Sequence, residues 1–521
     1  MPLWNFVWKS AYHDSVTLMR LTRDMTAVPG VERAAAMMGT PQNRELLAGA
    51  GLLAEAGARA APVDLVVAVL AADEAAARAA EDAARRALDS PAADQGAARG
   101  GPAPRTLAAA LRARPDATLA LVSVPGPYAA AQARRALSAG LHVMLFSDNV
   151  PVDAEVALKR QAAERGLFLM GPDCGTAILA GVPLGFANAI PRGRIGIAAA
   201  SGTGLQEVAC LVARAGEGVS HAIGVGGRDL TDAVGGIMTE RALAALAADA
   251  TTEVLCLVSK PPGPTVAGRL APLVAGLGKP CIVHFVGGAT VGDAPTAALR
   301  AAGAGSVHAA ATLEDCARAA VAVARGQRPA AVDFTIPASE AAQLVDAAVR
   351  GLARGQRLVR GVYSGGTLAW EAVHVLKRAL GGVVESVTGG GEGHRVVDLG
   401  EDVFTVGRPH PMIDGSLRRE WIVREAADPT VAVLLLDVVL GYGAHPDPAG
   451  ELAPALDAAR SAARAAGRGL AVVASVIGTD GDRQGFTAQV ARLRQAGVTV
   501  MPSNAQAARL AALIAARTVA A

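Results

Sequence analysis

Aromatic side chains are scarce, with four Trp, four Tyr and eight Phe in 521 residues, so any core must be aliphatic. The five cysteines (Cys174, Cys210, Cys256, Cys281 and Cys316) form no CxxC pair and no closely spaced even set. That disfavours a disulfide scaffold or a structural zinc site and implies a reducing, cytoplasmic setting. Charge of one sign is also missing: 49 Lys and Arg against 47 Asp and Glu leave +2, interspersed along the chain. No basic footprint for nucleic acid results. No apolar run reaches the ~18 residues a membrane helix needs, because Asp437 splits the longest one, VAVLLLDVVL. The start, MPLWNFVWKSAYHDS, lacks the basic and apolar segments of a signal peptide. The expectation is a soluble protein without nucleic-acid or membrane partners.

What is present is an alternation of aliphatic strands and Ala-rich helices, long enough for three to four domains at roughly 150 residues each. Residues 1–88 read as a small α/β unit, with strand VDLVVAVL (Val63 to Leu70) and a helix from Asp73 to Leu88. Residues 89–105 are rich in Pro, Gly and Ala and read as a flexible linker. Residues 106–192 repeat strand and helix with continuous apolar strands, which predicts a parallel sheet covered on both faces. Ligands of such sheets sit beyond the carboxyl ends of the strands. Those ends carry Pro125 to Tyr128, Ser147-Asp148-Asn149 and Gly171 to Thr176.

A third unit, 193–325, and a fourth, 341–521, look like divergent repeats, joined by a second linker at 326–340 that would permit modest domain motion. RIGIAAA runs into Ser201-Gly202-Thr203-Gly204 and a helix, as RLVRGVY runs into Ser364-Gly365-Gly366-Thr367 and a helix. Two flavodoxin-like domains related by duplication are expected.

The paired turns are the strongest chemical signal. Glycine lets the backbone approach closely, and a helix amino end offers free N–H groups to phosphate or carboxylate. The alternative is an ordinary tight turn with serine as N-cap. Gly226 and Gly227 could wrap a phosphate with Arg228 supplying charge, although the spacing is not that of a dinucleotide fingerprint. Lys260 ends an apolar strand, directed either at a ligand or into solvent. In a glycine-flanked loop at a strand end, Asp173 and Thr176 are candidate substrate or phosphate contacts, and Cys174 is a nucleophile if positive charge lowers its pKa and otherwise an inert buried thiol. Prolines stiffen the segment holding Arg408 and His410, which suits an anion clamp, an acid or base, or simply a rigid loop. No spacing suggests a metal.

The chain resembles the FdrA proteins of the succinyl-CoA synthetase superfamily from end to end. The shared motifs are MMGTP (Met37 to Pro41), FSDN (Phe146 to Asn149), MGPDCGT (Met170 to Thr176), SGTG at Ser201, HAIGVGGRDL at His221, VSKPP at Val258, SGGTL at Ser364, DLG at Asp398 and TVGRPHPMID at Thr405. The resemblance implies an α/β chain: a small amino-terminal α/β unit, a Rossmann-like CoA-binding-type domain and two flavodoxin-like ligase domains. The CoA-type site would involve Pro125, Tyr128, Ser147, Asp148 and Asn149. In the synthetases a histidine in a GHAGA loop carries phosphate and a Glu supports it. Here that loop reads ATVGDAP (Ala289 to Pro295), without histidine, and Lys260 stands at the Glu position. No nucleotide-binding ATP-grasp segment is present.

The resemblance therefore implies acyl-phosphate chemistry in a complex with other subunits. The leading expectation is a carbamoyltransferase subunit exchanging oxalurate and phosphate with oxamate and carbamoyl phosphate, with no cofactor required. Ser201, Thr203 and Gly204 would hold phosphate with Lys260, while Ser364 to Thr367 with Arg408 and His410 would hold oxamate, or the two assignments would be reversed. The alternatives are an acyl-CoA ligase that uses CoA and a separate nucleotide-binding subunit, or a scaffold subunit.

Overall fold

The computed structural model describes the chain apart from residues 12, 14, 90–103, 288–305, 386–392, 406–408 and 520–521. The chain divides into two compact units: Met1–Ala117 with Ser123–Pro125 and Glu401–Asp414, and Thr118–Val122 with Gly126–Gly400 and Gly415–Ala521. Most of the first linker lies outside the described residues.

The first unit is built on an antiparallel sheet with Leu65–Ala71 between Leu3–Trp8 and Val31–Met38. Alternate side chains of the middle strand point to opposite faces, and both faces are covered. Val67 and Val69 pack with Leu21, Met25 and Ala80 from two helices, and Val66 and Ala68 pack with Leu47 and Leu52. An uninterrupted aliphatic strand is the sequence signature of such double coverage.

The second unit contains three sheets. Leu119–Val122, His142–Leu145 and Leu169–Met170 form a short parallel sheet. A seven-stranded sheet runs Val307–Ala309, Cys281–Phe285, Val254–Ser259, Arg192–Ala199, Val219–Gly224, then the hairpin Thr176–Leu179 and Val182–Gly185. A six-stranded sheet runs Val384–Glu385, Arg395–Asp398, Leu358–Tyr363, Val431–Val439, Ala471–Ile477 and Thr499–Met501. Numbered in chain order within each repeat, the five main parallel strands of both sheets follow the flavodoxin order 2-1-3-4-5. Residues 176–185, expected within the Rossmann-like domain, instead give the next sheet an antiparallel edge through Ile178 and Leu179 opposite Ala222 and His221. The hairpin thereby covers the edge of Val219–Gly224, which would otherwise be unpaired.

The 326–340 stretch, expected to permit modest domain motion, is hydrogen-bonded to the carboxyl-terminal helix. Thr335 N donates to Gln506 Oε1 at 3.1 Å, and Arg509 donates to Asp333 O at 2.8 Å. The two flavodoxin-like domains are also joined directly, with Arg214 donating to Pro502 O (2.9 Å), Ser503 to Glu314 (2.8 Å) and Asn504 N to Glu207 (3.1 Å). Buried polar contacts of this kind are costly to separate, so they fix the pairing of the domains. Among the described residues no helix is long and apolar enough to cross a membrane.

Candidate active site at the paired turns

The turn Ser201–Gly204 follows the first strand of its domain, between strands that connect in opposite directions, which is the topological switch point. Ser201 is the N-cap of helix Gly202–Arg214, its Oγ accepting from Gly204 N at 3.1 Å. The turn at Ser364 occupies the same place in the second domain and starts helix Gly366–Leu380. Both sequence signals thus lie on one constructed feature, because the turns meet: Ser201 Oγ and Thr367 Oγ1 are 2.6 Å apart. The approach is close enough that a Cβ at Gly204 would stand 3.0 Å from Thr367 Cγ2, and one at Gly365 2.9 Å from Thr203 Cγ2. Glycine is needed here for space.

Two helix amino ends brought together concentrate positive potential. The second turn answers this with the chain's own anion. Asp437, fully buried, accepts from Ser364 N (2.9 Å), Gly365 N (2.8 Å) and Ser364 Oγ (3.1 Å), and pairs with the buried Arg418 at 2.9 Å. Asp398 is close as well, its Oδ2 2.6 Å from where a Cβ at Gly366 would be. The expectation that Ser364 to Thr367 holds a substrate carboxylate is corrected accordingly: a carboxylate already sits there, and it belongs to the protein.

Strand register identifies the counterparts in the first domain. Leu436 pairs with Val362 as Val258 pairs with Ala199, so Ser259 stands where Asp437 does. Tyr363 pairs with Asp398, while Ala199 pairs with Gly224, so the counterpart of Asp398 is Val225. Both acidic positions are neutral in the first domain. Gly202 is exposed and Thr203 half-buried, and their N–H groups donate to no described group. The first turn is open, whereas in the second Asp437 accepts from the N–H groups of Ser364 and Gly365. Thr176, buried, lies beside it, its Oγ1 3.8 Å from a Cβ position on Gly202.

The other expected residues divide. Cys174 is buried, and burial pushes its thiol up to about 12. It donates to Gly224 O at 3.3 Å and keeps its proton, so its role as a nucleophile is corrected to packing beneath Gly224. Arg228 is not directed at a phosphate, since its guanidinium pairs with buried Glu155 at 2.9 Å and donates to Val150 O at 2.8 Å. Glu155 also pairs with Lys159 (2.9 Å), which reaches Asp229 at 2.7 Å. This buried network docks helix Val152–Glu164 onto the loop at Gly226 and Gly227. The i, i+4 spacing of Glu155 and Lys159 was its only trace in the sequence.

Lys260 is exposed, its ammonium 4.7 Å from the centroid of the Trp370 ring on the helix of the second turn. Asp173 and Asn149 both have positive φ (54° and 53°), and Gly126 packs so tightly on Asp148 O that a Cβ would lie 2.5 Å away. Ser147 is buried and Asp148 and Tyr128 are exposed at this strand end. Pro125 and His410 belong to the other unit; His410 Nδ1 accepts from Met412 N at 3.2 Å, as a turn residue does. Arg408 and the loop Ala289 to Pro295 lie outside the described residues.

Behind the turns lies a layer of carboxylates that sequence reading missed. Glu207 and Glu371 are each pushed up to about 7 by burial, and Asn504 bridges them, its N–H to Glu207 and its Nδ2 to Glu371 at 2.8 Å. Each is on the helix that follows a turn, within the first two helical turns.

Two doubly wound domains joined turn to turn, beside a short parallel sheet, make up a CoA-ligase-type fold. A CoA-ligase family model matches residues 362–514, and a model of the AllF heavy metal-associated domain matches residues 1–104. The chain belongs to the FdrA-like family of the uncharacterized protein YahF of Escherichia coli (strain K12), with 36% identity over 515 residues covering 96% of each chain. It is also similar to the succinate–CoA ligase [ADP-forming] subunit alpha-2 of Trichomonas vaginalis, 33% identical over 185 residues. That match covers 34% of this chain and 58% of the relative. Among solved structures, a dinucleotide-forming acetyl-coenzyme A synthetase 1 of Ca. Korarchaeum cryptofilum aligns with 77% of this chain and 84% of its own at 15% identity and TM-score 0.29.

The heavy-metal label of the amino-terminal match is not met by its residues. Soft metals call for sulfur donors; residues 1–117 contain no cysteine, and the methionines Met25 and Met38 are buried in the core of the sheet and its helices. Among the described residues no group of three or more His, Cys, Asp or Glu is placed to hold a metal.

Proposed function

We propose that the chain is the subunit of an acyl-CoA ligase-type enzyme that holds the phosphate of an acyl phosphate at Gly202 and Thr203. The observation that carries this reading is the asymmetry of the turns: one is filled by Asp437 and the other is open. The sequence loop at Ala289 to Pro295 has no histidine to carry phosphate, so the acyl phosphate itself is the reactant. The CoA thiol sulfur attacks the acyl carbon, the carbon–oxygen bond to phosphate breaks, and the thiol proton leaves with phosphate. N–H groups aimed at the phosphate favour its departure as charge develops on it. A separate subunit supplies the nucleotide chemistry that makes the acyl phosphate.

The similarity to succinate–CoA ligase supports this reading, and carbamoyl transfer has no counterpart in the families matched. The test is release of phosphate and formation of acyl-CoA from succinyl phosphate or acetyl phosphate and CoA, with the purified chain alone and with the products of neighbouring genes. CoA-dependent acyl-CoA formation is expected. Carbamoyl phosphate formed from oxalurate and phosphate, with no acyl-CoA product, would replace the reading with carbamoyl transfer.

A further inference from the structure

A cleft of about 990 Å³ opens between the two flavodoxin-like domains, away from the paired turns. One wall is the carboxyl end of helix Gly202–Arg214 with helix Leu313–Ala324, and the other is helix Phe486–Gln495 with strand Thr499–Met501. The first turn is at the opposite end of helix Gly202–Arg214, about 15 Å along its axis at 1.5 Å per residue. The cleft is therefore separate from the first turn.

Four arginines line it. Arg325 is neutralised by Glu217 at 2.9 Å. Arg214 is fixed by its bond to Pro502 O and lies over the Phe486 ring, 4.6 Å from its centroid. Arg318 and Arg494 are exposed and face the cleft from different domains, with no carboxylate partner among the described residues. The acidic lining residue, Glu314, is buried and engaged by Ser503 and Gln506, and burial raises its pKa. Between the guanidinium groups the walls are aliphatic, with Leu211 and Val321 on one side and Val490 and Val500 on the other.

Two exposed arginines without a described carboxylate partner, one on each wall of the cleft, offer donors for a phosphate, which Arg binds through paired N–H groups. Apolar walls at the same place accept the body of an organic molecule, and the volume is in the range of small-molecule sites. We propose that this inter-domain cleft is a second binding site, taking a small phosphate ester with a flat or apolar body. It stands apart from the acyl-phosphate reading, since it uses neither turn.

The test is calorimetric titration of the full chain with adenosine 5′-monophosphate in the absence of divalent cations. The wild-type chain is expected to bind it, with adenosine and inorganic phosphate each at least tenfold weaker because each offers half of the contacts. Arg318→Ala combined with Arg494→Ala should weaken the nucleotide at least tenfold while leaving thermal unfolding unchanged, both side chains being exposed. Ser259→Asp, which puts a carboxylate at the first turn, should leave nucleotide affinity unchanged. Absence of binding to the wild-type chain, equal binding by the double arginine variant, or loss on Ser259→Asp alone would overturn the proposal.

Discussion

The two βα turns share a strand, a glycine-rich bend and a helix, yet one presents free N–H groups and the other has spent them on Asp437. The difference comes from two positions on neighbouring strands, Ser259 against Asp437 and Val225 against Asp398. A duplicated fold with two similar turns has left the N–H groups of one without a described partner and built the other around its own carboxylate. The bound carboxylate also offsets the meeting of two helix amino ends, so the occupied turn makes it possible for the open one to stand so close.

Removing the built-in anion should have the largest effect. Asp437→Ala leaves Arg418 buried without its charge partner and the N–H groups of Ser364 and Gly365 unpaired. Breaking a buried pair in this way costs about 3–5 kcal/mol, which chemical denaturation would register as a lower midpoint. A smaller loss, below about 1 kcal/mol by the scale of a surface pair, would mean that the second turn does not depend on its carboxylate. The converse change, Ser259→Asp, should fill the open turn. Binding of inorganic phosphate or acetyl phosphate is expected to fall about a hundredfold, roughly 2.7 kcal/mol by the factor of ten per 1.36 kcal/mol, with Ser259→Ala as a control close to wild type. If Ser259→Asp binds as well as wild type, the anion is held elsewhere.

This contrast was half legible in the sequence. Alternating aliphatic strands and Ala-rich helices specify two doubly wound domains, and SGTG and SGGT mark the turns, because strand burial and glycine geometry are local properties. Which turn is open depends on residues 58 and 73 positions further along the chain, brought alongside by parallel pairing. Asp437 was visible as a charge inside an apolar strand, which excluded a membrane span, and the same anomaly also marks a buried anion that must have partners. Arg228 and Cys174 show the reverse case. Their local sequence suits a phosphate ligand and a nucleophile, while their neighbours Glu155 and Gly224, distant in sequence, give them structural roles.

The carboxylate layer behind the turns sharpens the comparison through pH. Glu207 and Glu371 have folded pKa values near 7, above the ordinary ~4.3 of an unfolded Glu. Between those values the folded chain binds more protons than the unfolded one, so stability is highest below the unfolded pKa and falls as pH rises toward 7. Thermal unfolding from pH 5 to 8 should show this decline, and Glu207→Gln with Glu371→Gln should flatten it. An equally steep decline in the double variant would place the titration on other groups.

The smallest effect is expected at Lys260, where the sequence left open whether the cation meets a ligand or solvent. Its ammonium lies over Trp370, a residue on the helix of the occupied turn, so the lysine links the rim of the open domain to the filled one. A cation–π contact at an exposed site contributes about 0.5–1 kcal/mol, and Lys260→Ala should lower the unfolding free energy by no more than that, read from chemical denaturation. Because the ammonium rests on the ring rather than between Gly202 and Thr203, phosphate affinity should drop less than threefold, with a milder dependence on salt than wild type. A drop as large as that of Ser259→Asp would show that Lys260 leaves Trp370 to meet the ligand. The open turn would then be a composite of backbone N–H groups and one mobile cation, and its contrast with the turn at Asp437 would lie in where the neutralising charge comes from.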